Sequence, residues 1–336
     1  MTICLAALCE THTIIGASDR MITAGDVEFE PDQVKIWWMN PSVAIMVSGN
    51  TPLQSEILLS VQAEVSKRIE LEPDNWWTVS EVADLYVNHY NEIRTKRAES
   101  ALLTPLGLTY DTFLSRQAEM SSTFLTDLSA NLLNFELPEV SAIIAGIDPT
   151  GAHLWLVSKG FRGVEATCYD SSGFVSIGMG NGHAQSQLMF ARHTRYKPFA
   201  ETLFLTYLAK KRAEVAPGVG AGTDMFLITG LGQSTGVDVE IKNNIDKIYK
   251  NTRRQEAAAF RRAGKKATQY VAQLFEEAQK KDQGEPADDG LVSIELSKDY
   301  HIHKAGEIVR FDPGRAAWLR DNGYEAAKLE DRAKEA

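Results

Sequence analysis

The chain opens on a nearly unbroken apolar run, Thr2 to Leu8, which predicts a buried strand. The polar Glu10 to Thr13 turn and a second apolar run, Ile14 to Ala17, complete a hairpin. Val34 to Trp38 and Val43 to Val47, joined by Asn40-Pro41-Ser42, predict a second strand pair. After Ser48-Gly49-Asn50 the period changes. Leu53, Ile57, Leu58, Val61, Val65 and Ile69 recur three or four apart, as one face of a helix does, and Val79 to Arg97 repeats the spacing beyond Pro73-Asp74-Asn75. Ala98 to Leu137 mixes helical patches with Pro105-Leu106-Gly107 and reads as a helical insertion. Strands return at Ser141 to Gly146, His153 to Ser158, Gly163 to Tyr169 and Gly173 to Ile177. Two helices, about Ala184 to His193 and Phe199 to Val215, precede a short apolar run, Met225 to Ile228, expected to close a sheet.

The order is strands, helices, strands, helices and a last strand, without alternating βαβ units. Two antiparallel sheets packed face to face, with helices outside both, satisfy it: an α+β fold in four layers, αββα. Beyond residue 240 the composition shifts. Ile241 to Lys281 is a long helical candidate rich in Lys and Arg, Asp282 to Gly290 is a polar linker, and Leu291 to Arg320 reads as a small hairpin and helix. The expected organisation is a body over residues 1–240 carrying the insertion at about 98–137, a basic helical extension over 241–281, and a small C-terminal module over 282–336.

Composition narrows the function classes. The 336 residues are 44% hydrophobic and 24% charged, enough to bury a large core. Lys and Arg number 35 against 45 Asp and Glu, a formal charge of −10, so a general nucleic-acid partner is not expected. No stretch approaches the roughly 20 apolar residues of a membrane helix, and Met1 to Glu10 lacks a basic leader and a cleavage site. Cys4, Cys9 and Cys168 match no zinc or disulfide spacing, which fits a reducing compartment. A cytoplasmic protein without membrane partner, metal or other cofactor is the expectation.

No Walker loop, dinucleotide fingerprint, H-E-x-x-H or G-x-S-x-G motif occurs, and His301-Ile302-His303 alone does not make a metal site. The terminal strand carries the chemistry. Thr2 follows the initiator Met, and removing Met1 would leave a hydroxyl and a free α-amine on one residue. A hydroxyl is a weak nucleophile until a base sits beside it, and an amine with a pKa of about 8 is such a base.

Ala17-Ser18-Asp19-Arg20, Thr23-Ala24-Gly25, Lys35 before an apolar strand, and Ser48-Gly49 after another resemble the β-type subunits of the proteasome, which are N-terminal nucleophile hydrolases. Asp19 and Lys35 stand 35 − 19 = 16 residues apart, the family's spacing, and only the first turn is one residue longer. Gly146-Ile147-Asp148 with Gly151 and Leu154, Ser176-Ile177-Gly178-Met179-Gly180 before Ala184, and Gly220-Ala221-Gly222-Thr223-Asp224 are similar to later family elements. The likeness covers residues 2 to about 230.

The resemblance implies a threonine peptidase. Thr2 attacks the scissile carbonyl, Lys35 lowers the pKa of the neighbouring amine or hydroxyl, Asp19 orients Lys35, and the Gly49 N–H faces the oxyanion. It also implies peptide or unfolded-protein substrates, a homo-oligomeric ring, and an ATPase as the regulator such rings take. The chain departs from the family at Met179, and at Ala216 and Val219, where an Asp and a Ser are usual; Glu214 is the nearby acid. Two other readings stand beside it: an amidase or acylase of the same superfamily cutting a small amide, and a catalytically silent scaffold subunit.

Overall fold

In the computed structural model the opening hairpin is β1 (Cys4–Cys9) and β2 (Thr13–Ser18). Two more strand pairs follow, β3 (Ile22–Ala24) with β4 (Val27–Phe29) and β5 (Ile36–Asn40) with β6 (Val43–Gly49). Helices α1 (Thr51–Leu71) and α2 (Val79–Ala98) come next, then α3 (Tyr110–Ser115) and α4 (Ser122–Leu133) of the insertion. Strands β7 (Val140–Asp148), β8 (Gly151–Gly160), β9 (Gly163–Cys168) and β10 (Phe174–Ile177) lead to α5 (Asn181–Phe190) and α6 (Phe199–Ala213). The elements β11 (Asp224–Gly230), β12 (Gln233–Gly236), α7 (Val239–Gln283), β13 (Val292–Glu295), β14 (Ile308–Phe311) and α8 (Pro313–Asp321) complete the order. The structure describes residues 2–24, 27–31, 35–73, 75–161, 163–283 and 292–325. Met1, Gly25, Val34, Asp74, Leu291 and the 284–290 part of the expected linker lie outside the described residues, as does 326–336.

The chain is mixed α and β, with two five-stranded antiparallel sheets ordered β10-β1-β2-β11-β12 and β5-β6-β7-β8-β9. The alternation of strand side chains explains why the first run is apolar throughout. Cys4, Ala6 and Leu8 face a cluster shared with Ala44, Met46, Ile143 and Leu154 of the second sheet, whereas Leu5, Ala7 and Cys9 face helices α5 and α6 through Leu188, Leu205 and Ala209. Leu53, Ile57, Val82 and Tyr86 of α1 and α2 cover the outer face of the second sheet over Val43, Ile45, Ala142 and Ile144. Both faces of β1 are therefore buried, and each large side chain fully buried there stabilises the fold by about 1.5–3 kcal/mol.

Local chemistry sets the helix starts. Asn50 caps α1 by accepting from the Leu53 N–H at 3.0 Å, and Thr78 with Glu81 forms a capping box on α2. The Val79 N–H also donates to Asp148 Oδ2 at 2.9 Å, so the carboxylate of the Gly146-Ile147-Asp148 element ties the end of β7 to the start of α2. The insertion builds its own small core from Leu103, Phe113, Leu128 and Leu132. Two features differ from the sequence expectation. The Met225 to Ile228 run does not close its sheet, because the polar strand Gln233–Gly236 pairs outside it. The β3–β4 pair was not expected either, since three-residue strands are too short to show a period.

The chain divides into two compact units, Met1–Thr252 and Arg253–Ala336. Ile245 and Tyr249 at the start of α7 pack in the first unit's cluster with Ala209 and Ala213. The second unit has a core of Ile294, Leu296, Tyr300, Ala316 and Leu319.

His193 yields a pH prediction. It is buried, its Nε2 donates to the Leu8 carbonyl at 3.0 Å, and burial holds its pKa below the ordinary value of 6.5, with the bond to Leu8 opposing. The unfolded chain therefore takes a proton first as pH falls below about 6.5, so this stability is present above that value and lost as pH falls toward the folded pKa. The thermal midpoint should drop between pH 7.5 and 5.5, and His193→Gln, which keeps a donor but does not titrate, should flatten that drop. Equal pH slopes in the two proteins would refute the assignment.

Candidate active site

Three segments converge at the start of β1. Thr2 immediately precedes that strand, Asp19 follows β2, and Lys35 precedes β5. The β1–β2 register, which pairs Cys4 with Ser18, brings Asp19 beside Thr2, and the Asp19 N–H donates to the Ile3 carbonyl at 3.1 Å. Thr2 Oγ1 donates to Asp19 Oδ1 and accepts from Lys35 Nζ. Lys35 Nζ also donates to Asp19 Oδ1 at 2.8 Å and to the Met21 carbonyl. The hydroxyl is thus held between a carboxylate and an ammonium.

Asp19 is fully buried and its carboxylate is saturated with donors. Besides Thr2 and Lys35, Oδ1 accepts from the Ile3 N–H at 3.0 Å, and Oδ2 accepts from the N–H groups of Met21 at 3.2 Å and Gly220 at 2.9 Å. A buried carboxylate is tolerated only with such compensation. The Lys35 side chain is 13% exposed, which leaves its ammonium at the edge of the interior.

The backbone on the other side of Thr2 is glycine-dependent. Gly180 N–H donates to the Thr2 carbonyl at 3.3 Å. Gly178 has φ +92°, and a Cβ there would lie 2.3 Å from the Thr2 carbonyl oxygen and 2.7 Å from its methyl carbon. Only glycine fits that conformation and that approach. The Thr2 methyl therefore lies over Gly178, which restricts the rotation that would carry the hydroxyl away.

Gly49 ends β6 at φ +109°, and a Cβ there would lie 2.3 Å from the Glu139 carbonyl oxygen. The neighbouring Asn50 N–H donates to that carbonyl at 3.0 Å, and Gln54 Nε2 donates to the Ser48 and Ser141 carbonyls at 2.9 and 3.1 Å. Among the described residues no hydrogen bond joins Gly49 to Thr2, Asp19 or Lys35. The two regions meet through Cys4, whose Sγ donates to the Val47 carbonyl at 3.6 Å. Burial pushes the Cys4 thiol up to about 12, with Lys35 opposing, so Cys4 stays a thiol and is no rival nucleophile.

Ala216 and Val219 are buried in the apolar cluster with Ile3 and Ala213. Met179 is 56% exposed. Sequence reading missed the group that organises this side. Lys210 of α6 is fully buried, and its Nζ donates to Glu214 Oε1 at 2.6 Å, the Gly220 carbonyl at 2.8 Å and the Ala221 carbonyl at 3.1 Å. Burial holds its pKa below the ordinary lysine value, with Glu214 opposing. The ammonium fixes the loop whose Gly220 N–H reaches Asp19. The only signal in the sequence was a lysine four residues before Glu214 on an otherwise apolar helix face. Beside it, Arg20 forms a two-pronged pair with Asp224 at 2.8 and 2.6 Å, anchoring the chain just after Asp19 to β11.

A cavity of about 640 Å³ lies elsewhere in the first unit, lined by Tyr90, Arg94, Phe135, Glu136, Lys159 and Val164 among others. Arg94 is committed to the carbonyls of Phe135 and Leu133, both at 2.8 Å, and Lys159 to Glu136 at 2.8 Å. No helix among the described residues is long and apolar enough to cross a membrane. No family model matches the chain, and a search of curated proteins finds no match.

Proposed function

We propose that the chain is a proteasome-like N-terminal nucleophile hydrolase, a threonine peptidase that cuts peptide bonds through Thr2 after Met1 is removed. The observation that carries the reading is the Thr2 hydroxyl held between Lys35 Nζ and the buried Asp19 carboxylate, on three segments spaced as the family spaces them. The layering of helices, two sheets and helices, with Thr2 at the start of an inner strand, supports the same αββα family fold.

In the proposed reaction the freed α-amine takes the hydroxyl proton as Thr2 Oγ1 bonds to the scissile carbonyl carbon. Lys35 favours the deprotonated oxygen by its charge, and Asp19 holds Lys35 in place. The Gly49 N–H donates to the oxyanion as substrate enters, an effect worth roughly 3–4 kcal/mol in comparable sites. The C–N bond breaks, the leaving amine takes the proton from the α-ammonium, and water then hydrolyses the ester to release the acid and restore Thr2. A homo-oligomeric ring in the cytoplasm, fed by an ATPase, is the setting the family likeness suggests.

Intact-mass analysis before and after treatment with a peptide boronate or β-lactone tests the reading. The expected result is loss of one methionine and one label on the Thr2 peptide, with turnover of unstructured peptides. Retention of Met1 overturns it. Turnover of small amides alone selects the amidase reading. A processed chain that takes no label selects the silent subunit, the reading that the apolar Ala216 and Val219 favour.

A further inference from the structure

The longest helix carries an apolar seam whose side chains are exposed among the described residues. From Arg253 onward α7 lies in the second compact unit. Along it Phe260, Gly264, Ala267, Val271, Leu274 and Ala278 recur at intervals of 4, 3, 4, 3 and 4, the heptad spacing of a coiled-coil face. All six are exposed: Phe260 is 82% accessible, and Val271 and Leu274 are each 46% accessible. A Cβ on Gly264 would meet nothing within 4 Å. Open apolar stripes of this length, about 27 Å at 1.5 Å per residue, mark interaction surfaces on helices.

We infer that this seam pairs α7 with α7 of a second copy of the chain, antiparallel. The seam is self-complementary only in that direction. An antiparallel pair sets Phe260 against the second copy's Ala278, Gly264 against its Leu274, and Ala267 against its Val271, so every layer joins a small residue to a large one. A parallel pair in register stacks Gly264 on Gly264 and Ala267 on Ala267, leaving neighbouring layers unfilled, and it crowds two phenylalanines in one layer.

Charge selects the same arrangement. Arg261, Arg262, Lys265 and Lys266 cluster in the first half of the seam, and Glu276 and Glu277 stand in the second. Antiparallel pairing brings the cationic first half alongside the half of the second copy that carries Glu276 and Glu277, whereas parallel pairing sets the four cations beside their own copies. Arg261 also takes the edge position that faces the second copy's Phe275, a 66% exposed ring suited to a guanidinium. The pair has two-fold symmetry, so it closes after two copies and leaves no free seam.

The test uses the full-length chain in a Cys168→Ser background, since Cys168 is the exposed thiol and Cys4 and Cys9 are buried. Sedimentation equilibrium should show an assembly whose mass halves in Leu274→Glu and again in the small-to-large variant Ala267→Trp. Single-cysteine proteins Phe260→Cys and Ala278→Cys should form a disulfide when mixed and none when oxidised separately. An unchanged mass in both seam variants overturns the inference. So does crosslinking of Phe260→Cys with itself, which reports parallel pairing, or a monomer that floats with vesicles of anionic lipid, which assigns the basic helix to a membrane surface. None of these readouts depends on Thr2 or on hydrolysis.

Discussion

Thr2→Ala should lower peptide turnover by at least about 10³-fold while leaving the thermal midpoint within a few degrees of wild type. The two effects separate because the hydroxyl is one of several donors to Asp19. Without it Oδ1 still accepts from Lys35 at 2.8 Å and from the Ile3 N–H at 3.0 Å, so the cost to stability is about 1 kcal/mol. Alanine at position 2 also permits Met1 removal, which makes the variant a control for processing. Thr2→Ser keeps a nucleophile but lacks the methyl that lies over Gly178, and it should retain part of the activity. Steady-state kinetics on one peptide substrate, run with calorimetry on the same samples, decides the matter. Wild-type turnover by Thr2→Ala would remove the hydroxyl from the mechanism.

The second large effect is on stability and is independent of any reaction. Asp19→Ala deletes the acceptor for Lys35 and for the N–H groups of Ile3, Met21 and Gly220 at once. Breaking a buried ion pair from one side costs about 3–5 kcal/mol, because the remaining charge keeps its desolvation penalty without a partner. The expected readout is a fall in urea midpoint at unchanged slope. The double variant Asp19→Ala with Lys35→Met should recover part of the loss, since it removes the stranded ammonium. A single-variant loss below about 1 kcal/mol would show that the carboxylate does not hold these three segments together.

The site was legible to different depths. Thr2, Asp19 and Lys35 could be nominated because their spacing along the first strands follows a resemblance, and the structure brings all three into direct contact. Gly49 was nominated the same way, and its φ of +109° with the Glu139 carbonyl where a Cβ would stand gives the backbone reason for a glycine there. Lys210 left only a faint mark in the sequence, its place four residues before Glu214. A lysine on an apolar helix reads as a solvent-seeking side chain, and only the packing of α6 under the Gly220 loop turns it into a fully buried donor to two carbonyls. The cysteine spacing said nothing about Cys4 as a nucleophile; in the structure burial raises its thiol pKa against the opposing charge of Lys35.

What the amino-acid sequence determined by itself was the local grammar. The unbroken apolar run at the start and the three-and-four spacing of Leu53 to Val65 reflect interactions within a few residues and the average burial of a face, which Ile69, exposed in the structure, no longer joins. The tertiary structure decided the pairings that side-chain pattern does not mark. The polar Gln233–Gly236 strand gains its place from backbone hydrogen bonds to β11, which leave no mark on side-chain pattern. The meeting of Thr2 with Lys35 across 33 positions, and of Asp19 with Gly220 across 201, likewise follows from two sheets stacking on a shared core, an event no local window records.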